Sequence, residues 1–331
     1  MSWLAAHREV VLALVIALMV AAIGAYAPAF VEGTSLLGVL DDTALLFMLA
    51  LGQMVVILTR GIDLSMAANL ALTGMLVALV GQHGPDLPAL AYIVLAILIG
   101  LGFGLGNGVL IGGLGIPPIV VTLGTLSIFR GMIVVIGGGD QVNASEMGRT
   151  FQAFPHKALL GLSSVFWIAL AVAILMQLFL SRTRTGRGIY AVGGNPTAAR
   201  YCGLVLERYQ VLVYAIAGGI AGLSGYLWVA RYGVAYSEIA SGFELTIIAS
   251  CVIGGVSIGG GVGTVPGTLL GALFIGVIVN ALPTMQVSPF WQMAISGAAI
   301  LAAVIINARA EAHPDKLILP EARRAAAGAR G

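Results

Sequence analysis

Long apolar runs, almost free of charge, dominate the chain, and short breaks between them gather its polar residues. About twenty apolar residues cross a bilayer, so the pattern predicts roughly ten spans: 10–27, 44–59, 64–81, 90–111, 119–136, 159–180, 211–230, 245–258, 265–282 and 290–306. Several fall short of twenty and read as broken or buried helices. The expected fold is all-α, a polytopic membrane helix bundle of about ten transmembrane helices. Residues 1–307 are its transmembrane domain and 308–331 a short tail. His7 and Arg8 before the first run and Ala25-Tyr26-Ala27 after it imitate a signal peptide. The run is long for a signal core, however, and Pro28 should block cleavage, so it is read as a retained span.

Charge orients the bundle. With the N-terminus inside, ten crossings put both termini in the cytoplasm, and the Lys/Arg distribution tests this independently. Twelve of the sixteen basic residues, among them Arg8, Arg60, Arg182, Arg184, Arg187, Arg200 and Arg208, then fall inside. Arg149, Lys157 and Arg231 fall outside, and Arg130 lies within a span.

Composition narrows the function. The chain is 59% hydrophobic and only 9% charged, against roughly 25% charged for soluble domains, which excludes a soluble enzyme. A net charge of +2 and only two lysines leave no polybasic tract for nucleic acid. Cys202 and Cys251 make no disulfide framework or metal cluster. Forty-six glycines point to close helix packing. Gly100, Gly104 and Gly108, and again Gly263, Gly267 and Gly271, recur at four-residue spacing and read as smooth faces where backbones approach. The stretch from Arg60 to Ser65 followed by a small-residue helix loosely resembles Cys251 to Gly263 followed by 265–282, in keeping with the internal repeats of transporters.

Catalytic signatures fail one by one. Gly255-Val256-Ser257-Ile258-Gly259 fits a nucleophile elbow only in letters, since that motif needs a strand-to-helix turn and a His–acid pair. Gly222-Leu223-Ser224-Gly225 resembles the rhomboid serine motif, but His7, His83, His156 and His313 all lie at termini or in predicted loops. No Gly-Lys dipeptide exists, hence no Walker A loop, and no HExxH site.

The longest cytoplasmic connection, 181–210, carries five arginines. Within it Asn195-Pro196-Thr197 is a plausible helix start, and Ala198 to Cys202 could form one or two turns ended by Gly203, a short helix lying parallel to the membrane. A positive-inside loop that touches nothing is the other reading, and these residues alone do not choose between them.

Four blocks taken together carry a resemblance. Tyr190 to Gly203 resembles the coupling segment of ABC-importer permeases of the ribose, xylose, rhamnose and autoinducer-2 class. Gly61-Ile62-Asp63-Leu64-Ser65, Thr122-Leu123-Gly124-Thr125 with Arg130-Gly131, and Ile253-Gly254-Gly255-Val256-Ser257 with Gly260-Gly261-Val262-Gly263 are similar to further blocks of that family, in its order, over roughly 44–307. Met66-Ala67 departs from the Val-Gly with which many relatives continue, leaving the turn after Ser65 open. The resemblance implies a monosaccharide import permease of a bacterial inner membrane, itself without cofactor or catalysis. It implies a second permease chain, a cytosolic ATPase that binds ATP and Mg, and a periplasmic sugar-binding protein. By the same match Gly194, Asn195, Ala198, Ala199 and Gly203 become the ATPase-docking group.

Polar residues in apolar spans are costly and often functional, so Gln53, Asp63, Asn69, Asn107, Thr122, Thr125 and Arg130 are candidates for the substrate pathway. Simpler readings stand beside them. Arg130, about 9 Å of helix rise from the outer end, could snorkel; Asp63 and Ser65 could cap a helix; the amides and threonines could bond between helices. Segments around Arg231-Tyr232-Gly233, Asn280-Ala281-Leu282-Pro283 and Ser288-Pro289-Phe290-Trp291 resemble rhamnose-type permeases more than ribose-type ones. An aromatic belt is the simpler reading of Tyr232, Tyr236, Phe290 and Trp291. The rival functions are an ion-coupled secondary sugar transporter and an intramembrane enzyme.

Overall fold

The computed structural model describes residues 8–285 continuously and residues 287, 288, 291, 294, 297, 298, 301 and 305 beyond them. The predicted span at 290–306 lies almost wholly outside the described residues, and the tail at 308–331 entirely so. Eight described helices are long and apolar enough to cross a membrane. They are α1 (Arg8–Tyr26), α2 (Gly33–Leu58), α3 (Met66–His83), α4 (Ala89–Gly108, prolonged by a π-helical turn Val109–Gly113), α5 (Pro118–Gly137), α7 (Ser164–Arg182), α10 (Leu206–Tyr232) and α12 (Val265–Thr284). Short elements fill the connections: α6 (Arg149–Ala153), α8 (Arg184–Gly194), α9 (Pro196–Tyr201) and α11 (Phe243–Ile253). The chain is a multi-pass membrane protein built almost entirely of helices.

The helices form a layered bundle. α2, α3 and α10 are its centre and mostly buried, whereas α1, α4, α5 and α7 turn most of their apolar surface outward. That ordering suits a protein in lipid, where an outward Leu costs nothing and helices hold together by close packing. The glycine stripe on α4 supplies it: methyls at Gly100 and Gly104 would overlap the Gly218 and Tyr214 carbonyls of α10, and one at Gly108 would lie 2.8 Å from the Val211 Cα. On α12, Gly267 and Gly271 face Gly254 and the Ser250 carbonyl in the same way. Gly263, read with them as one helix face, lies instead in the connection ahead of α12 and packs on Val256 and Leu58.

The run predicted at 159–180 starts later. Gly161, in the left-handed region, turns a two-residue hairpin in which β2 (Ala158–Leu159) pairs antiparallel with β3 (Leu162–Ser163), so α7 opens only at Ser164. At the same end β1 (Val142–Asn143) pairs with β4 (Val234–Ala235) and joins two connections distant in sequence. Tyr92 and Tyr226 stack at 5.9 Å, and Phe151 of α6 meets both edge-on, with ring centroids 4.9 and 5.1 Å away; its carbonyl accepts from the Tyr226 hydroxyl at 3.1 Å.

The run at 245–258 is half a span. α11 has eleven residues, about 16 Å of rise. The chain from Ser237 to Gly242 enters the bundle as irregular backbone, level with Arg130 of α5, and α11 completes the crossing. Unpaired carbonyls at membrane depth are tolerated only where protein satisfies them. The Arg130 guanidinium does so, donating through Nη1 to the Ile239 and Ser237 carbonyls at 2.7 and 3.1 Å and lying 3.5 Å from the Glu244 carboxylate.

All the described basic residues assigned to the inside lie at one end of the bundle, with α8, α9 and the α2–α3 connection; Arg149, Lys157 and Arg231 lie at the other.

Candidate functional site

The candidate site joins two parts, a buried polar ladder and a junction at the basic end. The ladder begins where α2 stops. Arg60, in the left-handed region at φ 67°, reverses the chain so that 61–65 folds back into the bundle before α3. For a residue with a Cβ that conformation costs about 1 kcal/mol. Gln53 of α2 meets the returning strand, its amide nitrogen donating to the Asp63 carbonyl and its oxygen accepting from the Asp63 N–H, both at 3.1 Å.

The Asp63 carboxylate accepts from the Ser65 N–H at 2.9 Å and from the Ser65 hydroxyl at 2.6 Å. The Ser65 hydroxyl oxygen accepts from Asn107 of α4 at 2.8 Å. Asn107 is buried, and its amide oxygen meets no donor among the described residues. The Thr122 hydroxyl of α5 faces the Ile62 carbonyl at 3.2 Å and the Pro118 carbonyl at 2.9 Å, and the Tyr214 hydroxyl of α10 lies 3.4 Å from the same Ile62 oxygen. A turn of five residues is thus held by four membrane helices.

Of the predicted pathway residues, Gln53, Asp63, Asn107 and Thr122 meet in this ladder. Asn69 sits one turn further along α3, donating to the Gly100 carbonyl at 3.2 Å and accepting from Thr73 at 3.0 Å. Among the described residues, Thr125 bonds back along its own helix, to the Val121 and Thr122 carbonyls. Arg130 stands apart, tied to the Ser237–Glu244 segment rather than snorkelling.

Asp63 lies in the connection, outside both flanking helices, and burial raises its carboxyl from 3.8 to about 6, against the lowering effect of the two Ser65 bonds. The folded state therefore prefers the protonated form. This contribution to stability is complete below about pH 4 and fades as pH rises through about 6. Asp63→Asn keeps an acceptor for both Ser65 donors and removes the buried charge, so thermal unfolding in detergent at pH 7.5 should be unchanged or a few degrees higher. Asp63→Ala orphans both donors and should cost about 1–3 kcal/mol. Equal losses for the two variants would show that the charge, not the turn, matters to the fold.

The second part is the segment from Arg184 to Gly203. The Thr183 hydroxyl caps α8, accepting from the Gly186 N–H at 2.9 Å, and the Asn195 amide oxygen caps α9, accepting from Ala198 N–H at 3.0 Å, with Pro196 in the first turn. Gly203, at φ 82°, reverses the chain after α9, and the Leu204 N–H closes on the Ala199 carbonyl at 3.0 Å. The short helix expected here is present, from Pro196 to Tyr201. Gly194, Asn195, Ala198 and Gly203 are exposed, as are Thr197, Arg200 and Tyr201. Ala199 departs from the expected docking group: at 4% exposed it faces the bundle and seats the helix.

Sequence reasoning missed what holds this segment. Arg60 Nε donates to the Gly193 carbonyl at 2.6 Å and Nη2 to the Gly194 carbonyl at 3.0 Å. Gly193 packs on the Leu58 carbonyl with no room for a methyl group. That carbonyl accepts from the Gly261 N–H at 2.9 Å, and the Tyr190 hydroxyl donates to the Gly263 carbonyl at 2.9 Å. The two loosely similar stretches are therefore both helix–break–helix units, and their breaks meet on the Tyr190–Gly194 strip. The available signal was that Arg60 is the sole charge between Asp42 and Asp63.

The serines of the failed catalytic motifs are occupied locally, Ser224 donating to Ile220 at 2.8 Å and Ser257 accepting from Gly259 at 3.3 Å.

A bundle with broken helices, a polar turn at its centre and an exposed capped helix at its basic end defines a membrane transport subunit. Comparison gives the family: residues 35–304 match the model described as branched-chain amino acid transport system / permease component, and the chain belongs to that family. It is 32% identical over 303 residues to an autoinducer 2 import system permease protein of Salmonella typhi, covering 92% of this chain and 86% of that one. It is 35% identical over 294 residues to a D-allose transport system permease protein of Escherichia coli K12, covering 88% and 89%. It is 34% identical over 308 residues to the ribose import permease protein of the same strain, covering 92% and 94%. No solved structure matches. The resemblance drawn from the four blocks holds, whereas the leaning toward rhamnose-type permeases has no counterpart in these three relatives.

Proposed function

We propose that the chain is the non-catalytic transmembrane subunit of an ATP-driven importer for a monosaccharide or similar small polyhydroxylated ligand in a bacterial inner membrane. Its basic end and both termini face the cytoplasm. A cytosolic ABC ATPase, carrying ATP and Mg, docks on α9. A second permease chain completes the channel, and a periplasmic sugar-binding protein delivers the ligand to the other end. Transport follows alternating access, with ATPase closure shifting a two-state equilibrium. This chain needs no cofactor of its own.

The observation that carries the reading is α9 itself. A six-residue helix, capped at one end and turned back at the other, presents Thr197, Ala198, Arg200 and Tyr201 outward, while two breaks in the bundle grip the strip behind it. A retention loop would need charge there, not a built helix. The ladder supplies polar groups at depth, and the relatives' ribose, allose and autoinducer 2 are small polar ligands.

Co-purification with the ATPase tests it. Ala198→Glu puts a bulky charge on the outward face without entering the core, and should reduce ATPase retention at least tenfold while the permease stays folded. Ala199→Glu is a poor probe, because that side chain is buried. Sugar uptake by this chain alone in vesicles, driven by protons or sodium, would overturn the proposal in favour of the ion-coupled rival. Calorimetry of the associated binding protein with ribose, allose and rhamnose would identify the ligand.

A further inference from the structure

We infer that Arg60 is the positioning residue that carries movement of the docking helix into the polar ladder. The inference rests on the importer reading above. Among the described residues, the side-chain hydrogen bonds between the 190–203 strip and the 59–65 connection both come from Arg60, to the successive carbonyls of Gly193 and Gly194. These two residues lead directly into α9, whose capping residue is Asn195. On the other side Arg60 is three residues from Asp63 by covalent chain. A displacement of 60–62 is therefore felt at Gln53 on α2, at Asn107 on α4 through Ser65, at Thr122 on α5 and at Tyr214 on α10.

The other contacts of the strip lead elsewhere. The Tyr190 hydroxyl holds the Gly263 carbonyl ahead of α12, and Gly193 packs on the carbonyl of Leu58, the last residue of α2 before the turn, which is itself tied to the Gly261 N–H. They fix the strip in place without entering the ladder.

Residue choice points the same way. A φ of 67° is a conformation glycine adopts freely and arginine does not. If the position served only to reverse the chain, an arginine would add strain and nothing else. Here its planar fork spans two adjacent carbonyls, a geometry that transmits both push and pull and that a lysine's single ammonium does not reproduce. Strain held by specific side-chain bonds at a moving junction is a signature of function.

The experiment uses the whole complex in proteoliposomes, with the ATPase and binding protein that co-purify with the chain. Ile62→Cys, half-buried in the turn, reports through its alkylation rate by a small maleimide with and without ATP and vanadate, in a background carrying Cys202→Ser and Cys251→Ala. Arg60→Gly relieves the left-handed strain while deleting the clamp, and Arg60→Asn, also tolerant of that φ, serves as the second variant. Because Tyr190 and the packing of Gly193 on Leu58 still seat the strip, both are expected to keep the ATPase bound and the chain folded, yet to lose at least tenfold of the nucleotide-dependent change at position 62 and of ligand delivered per ATP. Arg60→Lys should recover only part. A full nucleotide response with the ATPase still bound would overturn the inference. So would loss of ATPase binding or of folding in both variants, which would make Arg60 a docking or structural residue. Failure of the ATPase to associate even with the unaltered chain would instead strike the importer reading.

Discussion

Replacing Gly104 with leucine is expected to abolish recovery of folded, monodisperse protein. A Cβ at Gly104 overlaps the Tyr214 carbonyl and lies 2.9 Å from the Gly218 Cα. Both obstacles are backbone, so no rotamer change relieves them. Overpacking costs about 1–3 kcal/mol where neighbouring side chains can yield; here α4 and α10 would have to separate along the whole glycine seam. In lipid no hydrophobic force returns once that contact is lost, because the tails solvate leucine as well as a helix does. Gly102 and Gly106 flank the position on the same helix, and a Cβ at either meets nothing within 4 Å. Gly106→Leu is therefore the control, matched in helix propensity and hydrophobicity, and should elute and melt like the parent. Fluorescence-detected size-exclusion chromatography with a thermal ramp reads both. A normal peak for Gly104→Leu would mean that the seam is not the packing contact.

The seam was legible because a four-residue spacing encodes a helix face whatever it meets. The capped helix in the 181–210 connection was legible for a similar reason: Asn195-Pro196 and Gly203 act locally, within one turn. That Ala199 faces inward and Ala198 outward was not legible, since a six-residue helix in a loop has no pattern to orient it. The run at 245–258 was already short enough to read as broken or buried, but where α11 ends was hidden, because Gly254 and Gly255 sit inside an otherwise apolar run and only the backbone, with φ 90° at Gly255, tells a break from a packed glycine. The ladder's members were individually visible as polar residues in apolar runs. Their convergence was not, because the turn that gathers them is fixed by contacts from four helices far apart in sequence, and Arg60 ties it to carbonyls 133 and 134 residues ahead. Charge counting assigned Arg60 to a side of the membrane and stopped there. For Arg130 the gap was the same, since its shorter bonds also go to carbonyls, which every residue carries and no sequence marks.

Arg130→Met should therefore destabilise the protein by about 1–3 kcal/mol for each of the two carbonyls left unpaired, and the dominant loss should be the carbonyls rather than the ion pair. The pair is long, at 3.5 Å, with 19% and 11% of the two side chains exposed, which limits what it contributes. The bonds to Ile239 and Ser237 are 2.7 and 3.1 Å, and they cover main-chain groups that irregular backbone cannot pair within itself. Two variants separate the contributions. If the ion pair dominated, Arg130→Met combined with Glu244→Leu would remove both charges and recover most of the stability. If the carbonyls dominate, the double variant stays as unstable as Arg130→Met alone, and Glu244→Gln by itself costs no more than about 1 kcal/mol. Lysine at 130 keeps the charge but cannot fork to two carbonyls, so it should fall between. Thermal unfolding in detergent orders the four variants, and protease cutting within 236–242, which should rise at least tenfold in Arg130→Met, locates the loss in the broken span; recovery by the double variant would assign Arg130 to the ion pair after all.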